Sequence, residues 1–352
     1  MNPAMPQVNI GGRTVGPGQP PFVVAEVGIN HNGRLDLALE MIRAAKAAGA
    51  DAVKFQTFKA DEFVGDPKQM FTYRSQGREV TESMLEMFRR FELPVDAWPT
   101  LRRACDDAGI MFLSTPQNPG DLAILLAVGV PAVKVGSDDF TNLPLLKEYA
   151  RCGLPLILSC GMSDLADAWQ AIETVGGLDG HPVVLLLCTS QYPTPPDDVN
   201  LLKLRTLQGA FPLQVIGFSD HTQGTLASSL ALALGACVFE KHFTLDQDLP
   251  GPDHWFSETP AGLAAWVAAI RTSHRMLGDP LLRPTAIERG NRLEYQRRLV
   301  AARDLPAGET MDAAAITQRR VPGGRGLPPS FLPYLVGRPA PRAYRRGEPL
   351  EL

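Results

Sequence analysis

The chain has 352 residues, 45% hydrophobic and 20% charged, which suits a folded protein with one large domain and a small one. A net charge of -4 supplies no basic field for nucleic acid, yet leaves room for a local cluster of cations around an anionic substrate. Five single cysteines without a CxxC pair argue against a disulfide framework. The opening MNPAMPQVNIGGRTVGPGQPP has no apolar export core, and no run is long enough to cross a bilayer. A cytoplasmic protein is expected, with no membrane or nucleic-acid partner.

In chain order, short β-rich apolar runs recur at 22–28, 52–58, 111–116, 132–137, 155–160, 183–188, 214–220 and 237–243. Continuous apolar runs suit parallel strands buried on both faces. Helical patterns lie between them, at 35–48, 95–108 and 163–175 for example, and a last one covers 261–276. Gly49, Gly109 and Gly129 stand where a left-handed helix end favours glycine. Eight strand-helix units over about 255 residues predict an α/β fold of the (βα)8 barrel type, a TIM barrel. An open doubly wound sheet would carry a GxGxxG turn after its first strand, and here that strand runs into Gly-Ile-Asn-His-Asn-Gly. The insertion 59–94 is long for a barrel loop and reads as a lid or an oligomer contact. The barrel is assigned to 1–278, a charged, Pro-containing linker to 279–296, and a small β-rich module to 297–352. That module is basic around Arg319, Arg320 and Arg325, and again around Arg342, Arg345 and Arg346.

Barrel active sites lie at the C-terminal ends of the strands, and polar residues gather there. Glu26, Asn30 and His31 belong to strand 1, Lys54 and Gln56 to strand 2, and Ser114 and Thr115 to strand 3. Lys134 and Ser137 belong to strand 4, Ser159 to strand 5, and Thr189, Ser190 and Tyr192 follow strand 6. Ser219 and His221 end strand 7, and Glu240 and His242 lie on strand 8. A lone Ser or Thr at a strand end is usually a turn residue. A lysine inside an apolar strand differs, because burying an unpaired ammonium is costly. Lys54 and Lys134 therefore point to an anion carrying carboxylate and phosphate groups. His221 and His242 end adjacent strands, which lie ~4.8 Å apart, so their imidazoles can share a metal.

Nine segments taken in order resemble the sialic acid synthase family, which includes N-acetylneuraminate, legionaminate and pseudaminate synthases. They are AEVGINHNG, VKFQTF, STP, KVGS, LSCGM, CTSQYPTPPDDVNL, IGFSDHTQG, EKHFTLDQDLPGPDH and, near the C-terminus, PGGRGLPP. The tail is similar to the family's antifreeze-protein-like domain of β-clip type, which implies a domain-swapped homodimer. The resemblance implies condensation of phosphoenolpyruvate with an open-chain N-acyl hexosamine, N-acetylmannosamine or a relative, giving a nine-carbon 2-keto acid and phosphate. It assigns His221 and His242 to a divalent metal, Mn2+ foremost, with Mg2+ or Co2+ as alternatives. Lys54, Thr115 and Lys134 would hold the carboxylate end of phosphoenolpyruvate, and Ser137, Ser159, Ser190 and Ser219 its phosphate. Glu26 would activate water, and Gln56, Tyr192 and Asp253 would contact the sugar.

The chain departs from the family pattern at three places. Asp138-Asp139-Phe140 stands where Gly-Glu is common, so Asp139 is expected to keep the carboxylate with a shorter reach. Ser190 replaces an Asn, and Val321 replaces the swapped arginine, leaving Arg320 and Arg325 as its substitutes. Trp255, beside Asp253, favours a less polar sugar. The rival readings are another phosphoenolpyruvate-dependent 3-deoxy keto acid synthase acting on a sugar phosphate, and a non-enzymatic scaffold.

Overall fold

All eight expected strands form, and all are parallel in one sheet. They are Phe22–Gly28, Ala52–Thr57, Met111–Pro116, Val133–Val135, Leu156–Ser159, Val183–Cys188, Val215–Ser219 and Val238–His242. The first pairs with both the second and the eighth. The third and fourth strands, at the two ends of this ladder, also lie against each other, so the sheet curls on itself, the TIM-barrel expectation holds and the open doubly wound alternative fails. The barrel is nearly closed there. The computed structural model describes residues 5–351. Among them no helix is long and apolar enough to cross a membrane.

Period-two alternation sorts the barrel interior into layers. Val24, Ala52, Leu113, Ala132, Ile157, Leu186, Val215 and Val238 form one buried apolar cluster. Two residues further along the strands stand Glu26, Lys54, Thr115, Lys134, Ser159, Cys188 and Glu240, all lining a cavity. Strand 7 needs two such steps, through Gly217, to reach Ser219. A side-chain carbon at Gly217 would fall 2.5 Å from Leu186 Cδ2, so glycine makes room for that leucine.

The sequence reading placed no element before residue 22. Two strands form there, Val8–Ile10 and Arg13–Val15, paired antiparallel. Their turn is Gly11-Gly12, both at positive φ, as a tight two-residue hairpin demands. Val8, Ile10 and Val15 are buried in the lower apolar cluster, so the hairpin stops the end of the barrel opposite the polar rim. Asp51 fastens it, pairing with Arg13 at 2.5 Å and Arg271 at 2.5 Å.

The insertion folds as a short helix (Ala60–Phe63), an antiparallel hairpin (Met70–Ser75 with Arg78–Ser83) and a second helix (Met84–Phe91). Its Phe88 packs edge to face on both Phe63 and Phe58. Its hairpin is tied to the loop after the eighth strand, since Gly251 N donates to Ser75 Oγ (3.1 Å) and Gln76 Nε2 to Asp248 O (2.8 Å).

The chain divides at Gly278 into two units. In the second, Arg297–Ala301 pairs antiparallel with Ile316–Arg320 over a core that includes Leu299, Leu305, Met311, Leu335 and Tyr344. The expected linker is corrected in part: Ala286–Tyr295 is a helix, begun by a capping box between Thr285 and Glu288. It lies against the Pro-Gly-Gly turn. A side-chain carbon at Gly324 would meet Leu293 O at 2.7 Å, so this glycine permits the approach. Charge and proline signalled a tether, while the capping box, the local helix signal, was in the sequence and went unread.

Candidate active site

Lys54 and Lys134 both point into one cavity of about 310 Å³ at the C-terminal rim. The same cavity is lined by Glu26, Gln56, Thr115, Ser137, Ser159, Ser190, Tyr192, Ser219, His221 and His242. These groups come from all eight strands or the loops that follow them, which is how such a barrel assembles a site from distant parts of its sequence.

The charges are interleaved. Lys54 Nζ lies 2.6 Å from Glu26 Oε2 and 3.7 Å from Glu240 Oε2, while Lys134 Nζ lies 3.6 Å from Glu240 Oε1. Lys54 also donates to Thr115 Oγ1 (3.2 Å) and Lys134 to Ser159 Oγ (2.7 Å). Ser219 donates to Glu240 Oε1 (3.2 Å) and Gln56 to Glu26 Oε1 (3.3 Å). Two ammonium groups and two carboxylates thus share a buried site, each with a counter-charge, as burial of ions requires. Gly28, at φ +54, follows a register shift in the first strand. A side-chain carbon there would crowd Glu26 Oε1 at 3.2 Å, so the missing side chain leaves space for the carboxylate.

This mixture separates the two carboxylates. Burial pushes Glu26 up to about 7; Lys54 pulls it back and Glu240 adds repulsion. For Glu240 burial acts upward too, but Lys134 and Lys54 outweigh it and hold the group below its usual range. One carboxylate is a fixed anion and the other is poised near neutral pH, the condition for transferring a proton. Burial lowers Lys134 below the ordinary lysine value.

The imidazoles of His221 and His242 lie with ring centroids 5.5 Å apart. Thr189 O accepts from His221 Nδ1 at 2.8 Å. A carbonyl can only accept, so Nδ1 carries a proton. Burial acts downward on this ring, but Cys188 and the Thr189 carbonyl outweigh it and raise its pKa, so Nε2 offers a lone pair once the ring has given up its second proton. His242 Nδ1 is buried with no hydrogen-bond partner. Burial, followed by the charge of His221, holds His242 well below the usual range and so neutral. These are the features of a two-imidazole metal site with open positions. Among the described residues no cluster of three or more His, Cys, Asp or Glu is gathered around a point. Tyr192 stacks near His221 (4.2 Å between centroids), and Phe256 packs on both Tyr192 (5.0 Å) and His242 (5.2 Å).

Other expected site residues lie elsewhere. Asp139 does not line the cavity: it accepts from Asn142 Nδ2 at 3.0 Å, and the neighbouring Asp138 lines the cavity in its place. Asp253 sits outside the lining, on the loop after the eighth strand; burial raises it to about 6 and His221 draws it down. His31 and Asn30 turn away from the cavity. Asn30 donates to Phe243 O and Ser257 Oγ, both at 3.0 Å. His31 is fully buried, its pKa pushed down to about 3 by burial and then by His254. Arg320 and Arg325 belong to the second unit, where both are exposed and Arg320 lies over Tyr295 at 5.7 Å.

The sequence reading gave no role to Glu240, Cys188, Phe63 or Phe88, which all line the cavity. Glu240 was within reach of it, since period two puts 240 on the same face as His242. The phenylalanines carried no such signal, because they arrive through the tertiary fold of the insertion.

Comparison with known proteins converges on one family. A sequence model of the NeuB family matches residues 41–281, and one of the SAF domain matches residues 296–351. An N,N'-diacetyllegionaminic acid synthase of Legionella pneumophila is 40% identical, over 90% of this chain and 89% of its own. An N-acetylneuraminate-9-phosphate synthase of Homo sapiens is 36% identical, over 93% and 90%. The crystal structure of an N-acetylneuraminic acid (sialic acid) synthetase from Leptospira borgpetersenii, in complex with citrate, superposes with a TM-score of 0.73. It is 32% identical, over 82% of this chain and 95% of that one.

Proposed function

The chain belongs to the NeuB family of sialic acid synthase-type enzymes, and from that premise we propose that it joins phosphoenolpyruvate to an open-chain N-acyl hexosamine. The observation that carries this reading is the single cavity in which two lysines, two imidazoles, a row of serines and two carboxylates of opposite tendency meet.

Lys54, Thr115 and Lys134 hold the carboxylate of phosphoenolpyruvate, while Ser137, Ser159, Ser190 and Ser219 offer hydroxyl donors to its phosphate. Binding an anion redistributes the lysine charges now shared with Glu26 and Glu240. The C3 carbon of phosphoenolpyruvate attacks the aldehyde carbon of the sugar. Its C2–C3 π bond supplies the electron pair and leaves C2 as an oxocarbenium centre, and the new alkoxide takes a proton from water. His221 and His242 would hold a divalent cation, Mn2+ foremost with Mg2+ or Co2+ as alternatives, that supplies Lewis acidity beside the aldehyde. Water then adds at C2, and Glu26 in its ionised form takes the water proton. Phosphate leaves with its bridging oxygen by C–O cleavage, which gives the nine-carbon 2-keto acid. Gln56, Tyr192 and Asp138 stand at the sugar end, and Asp253 acts from behind Tyr192 and His221. The second unit is proposed to serve a partner's cavity in a domain-swapped homodimer through Arg320 or Arg325, which are exposed on it.

The test is phosphate release from phosphoenolpyruvate in Mn2+-supplemented enzyme. The acceptors are N-acetylmannosamine, its 6-phosphate, dideoxy diamino hexoses, erythrose 4-phosphate and arabinose 5-phosphate. Release with an N-acyl hexosamine is expected, together with loss of turnover on chelation and in the folded H221A and H242A variants. Release only with erythrose 4-phosphate or arabinose 5-phosphate would overturn the reading, and undiminished activity of a double His variant in chelator would overturn the metal role.

A further inference from the structure

Arg74 lies on the insertion hairpin, directly across the ladder from Glu79. A cross-strand Arg–Glu pair is the ordinary outcome for such neighbours. Arg74 forgoes it: among the described residues it makes no ion pair and no side-chain hydrogen bond, whereas Arg89 and Arg90 on the helix of the same insertion both pair with carboxylates. Its guanidinium carbon instead lies 4.9 Å from the ring centroid of Trp255.

The position is fixed by its surroundings. The next residue, Ser75, accepts from Gly251 N, and Gln76 donates to Asp248 O, so the hairpin is fastened to the loop that carries Trp255. From Trp255 a run of aromatic rings leads inward. Trp255 and Phe256 are 5.6 Å apart, Phe256 and Tyr192 5.0 Å, and Tyr192 lines the catalytic cavity. A guanidinium laid against an aromatic face uses its flat side and leaves its in-plane N–H donors free. Those donors suit an oxyanion, and no carboxylate among the described residues takes them, Glu79 across the ladder included. Inside the cavity, the lysines are already engaged by Glu26 and Glu240 and serve the anion of phosphoenolpyruvate.

We propose that Arg74, held over Trp255 at the outer end of this aromatic run, is a specificity residue that takes an anionic substituent on the end of the acceptor sugar remote from its aldehyde. The chemistry required is a phosphate ester or a carboxylate. The inference rests on the cavity being the site of phosphoenolpyruvate–aldose condensation, as proposed above.

Steady-state kcat/KM values for N-acetylmannosamine, its 6-phosphate and the corresponding 6-uronic acid, each with saturating phosphoenolpyruvate, test it. The wild-type enzyme is expected to prefer an anionic acceptor. In R74Q the ratio of anionic to neutral kcat/KM falls roughly tenfold or more, the scale of one charge-assisted hydrogen bond, chiefly through KM, and R74K restores part of it. A gain with the 6-phosphate alone identifies a phosphate subsite, and a gain with both acids identifies a carboxylate-tolerant one. If Arg74 only latches the hairpin to Trp255, R74Q lowers both values together and leaves the ratio unchanged, which overturns the inference and spares the proposed reaction. Absence of phosphate release with every acceptor removes the reaction, and this inference with it.

Discussion

The two ends of the barrel interior are built on the same strands, and one step of two residues separates them. At the lower end Val24, Ala52, Leu113, Ala132, Ile157 and Val238 pack with the N-terminal hairpin into an apolar plug. At the upper end Glu26, Lys54, Thr115, Lys134, Ser159 and Glu240 surround a cavity with ions and hydroxyls. The lower layer gains stability from apolar surface removed from water. The upper layer spends part of that gain on holding charges in a buried site, where each ion needs its partner. Strand geometry is therefore neutral between structure and chemistry, and the residue at each inward position decides which it serves.

The contrast is broken most sharply at Glu26. Glu26→Gln keeps size and the hydrogen bond with Gln56 within reach but removes the base. Its kcat is expected to fall ~100- to 10,000-fold, the range for a lost general base. In the native enzyme the ionised form grows as pH rises through about 7, so kcat/KM rises over that interval; in the variant this limb disappears. A pH–rate profile that keeps its rise in Glu26→Gln would assign the titration to another group.

The lower layer should respond in the opposite way. Ile10 is fully buried in the hairpin, and Ile10→Ala is expected to cost about 2–5 kcal/mol of stability while kcat stays within a factor of two or so. Chemical denaturation followed by intrinsic fluorescence measures the first, and phosphate release the second. A large drop in kcat without loss of stability would show that the plug shapes the rim after all.

The smallest effect is an acid weakness behind the cavity. His31 is held neutral, with its pKa lowered to about 3, and His254 likewise at about 4, both mainly by burial. The unfolded chain takes up these protons near pH 6.5 and the folded one does not, so the contribution is intact above 6.5 and is lost as pH falls toward 3. Each group removes up to about 1.4 kcal/mol per pH unit. Glu26 and Asp253, raised to about 7 and about 6, act with the opposite sign. Urea midpoints measured from pH 7 to 5 should fall less steeply in His31→Gln than in the native protein.

The strands and most of the rim were readable because each depended on a local pattern. Eight apolar runs announced the barrel, and Lys54 and Lys134 announced themselves as ions in apolar strands. The hairpin at 8–15 escaped because strands of three residues are too short to show a period. The resemblance points to Asp139, which falls where the family commonly has the Glu of Gly-Glu, but alignment does not tell which of two adjacent carboxylates turns inward; the structure gives Asp139 to Asn142. Glu240 was seen on its strand but left without a task, since its importance arises from Lys54 and Lys134, which approach it from distant parts of the chain. Phe63 and Phe88 reach the cavity only once the insertion has folded back on itself.

The hairpin that stops the lower end also has a consequence for the order of traffic in the proposed reaction. With the base sealed, phosphoenolpyruvate bound among the lysines and serines, as proposed, would have to arrive before a sugar lying above it. Saturating the sugar alone is then expected to give no productive complex, an effect set by eight residues at the far end of the barrel from its chemistry.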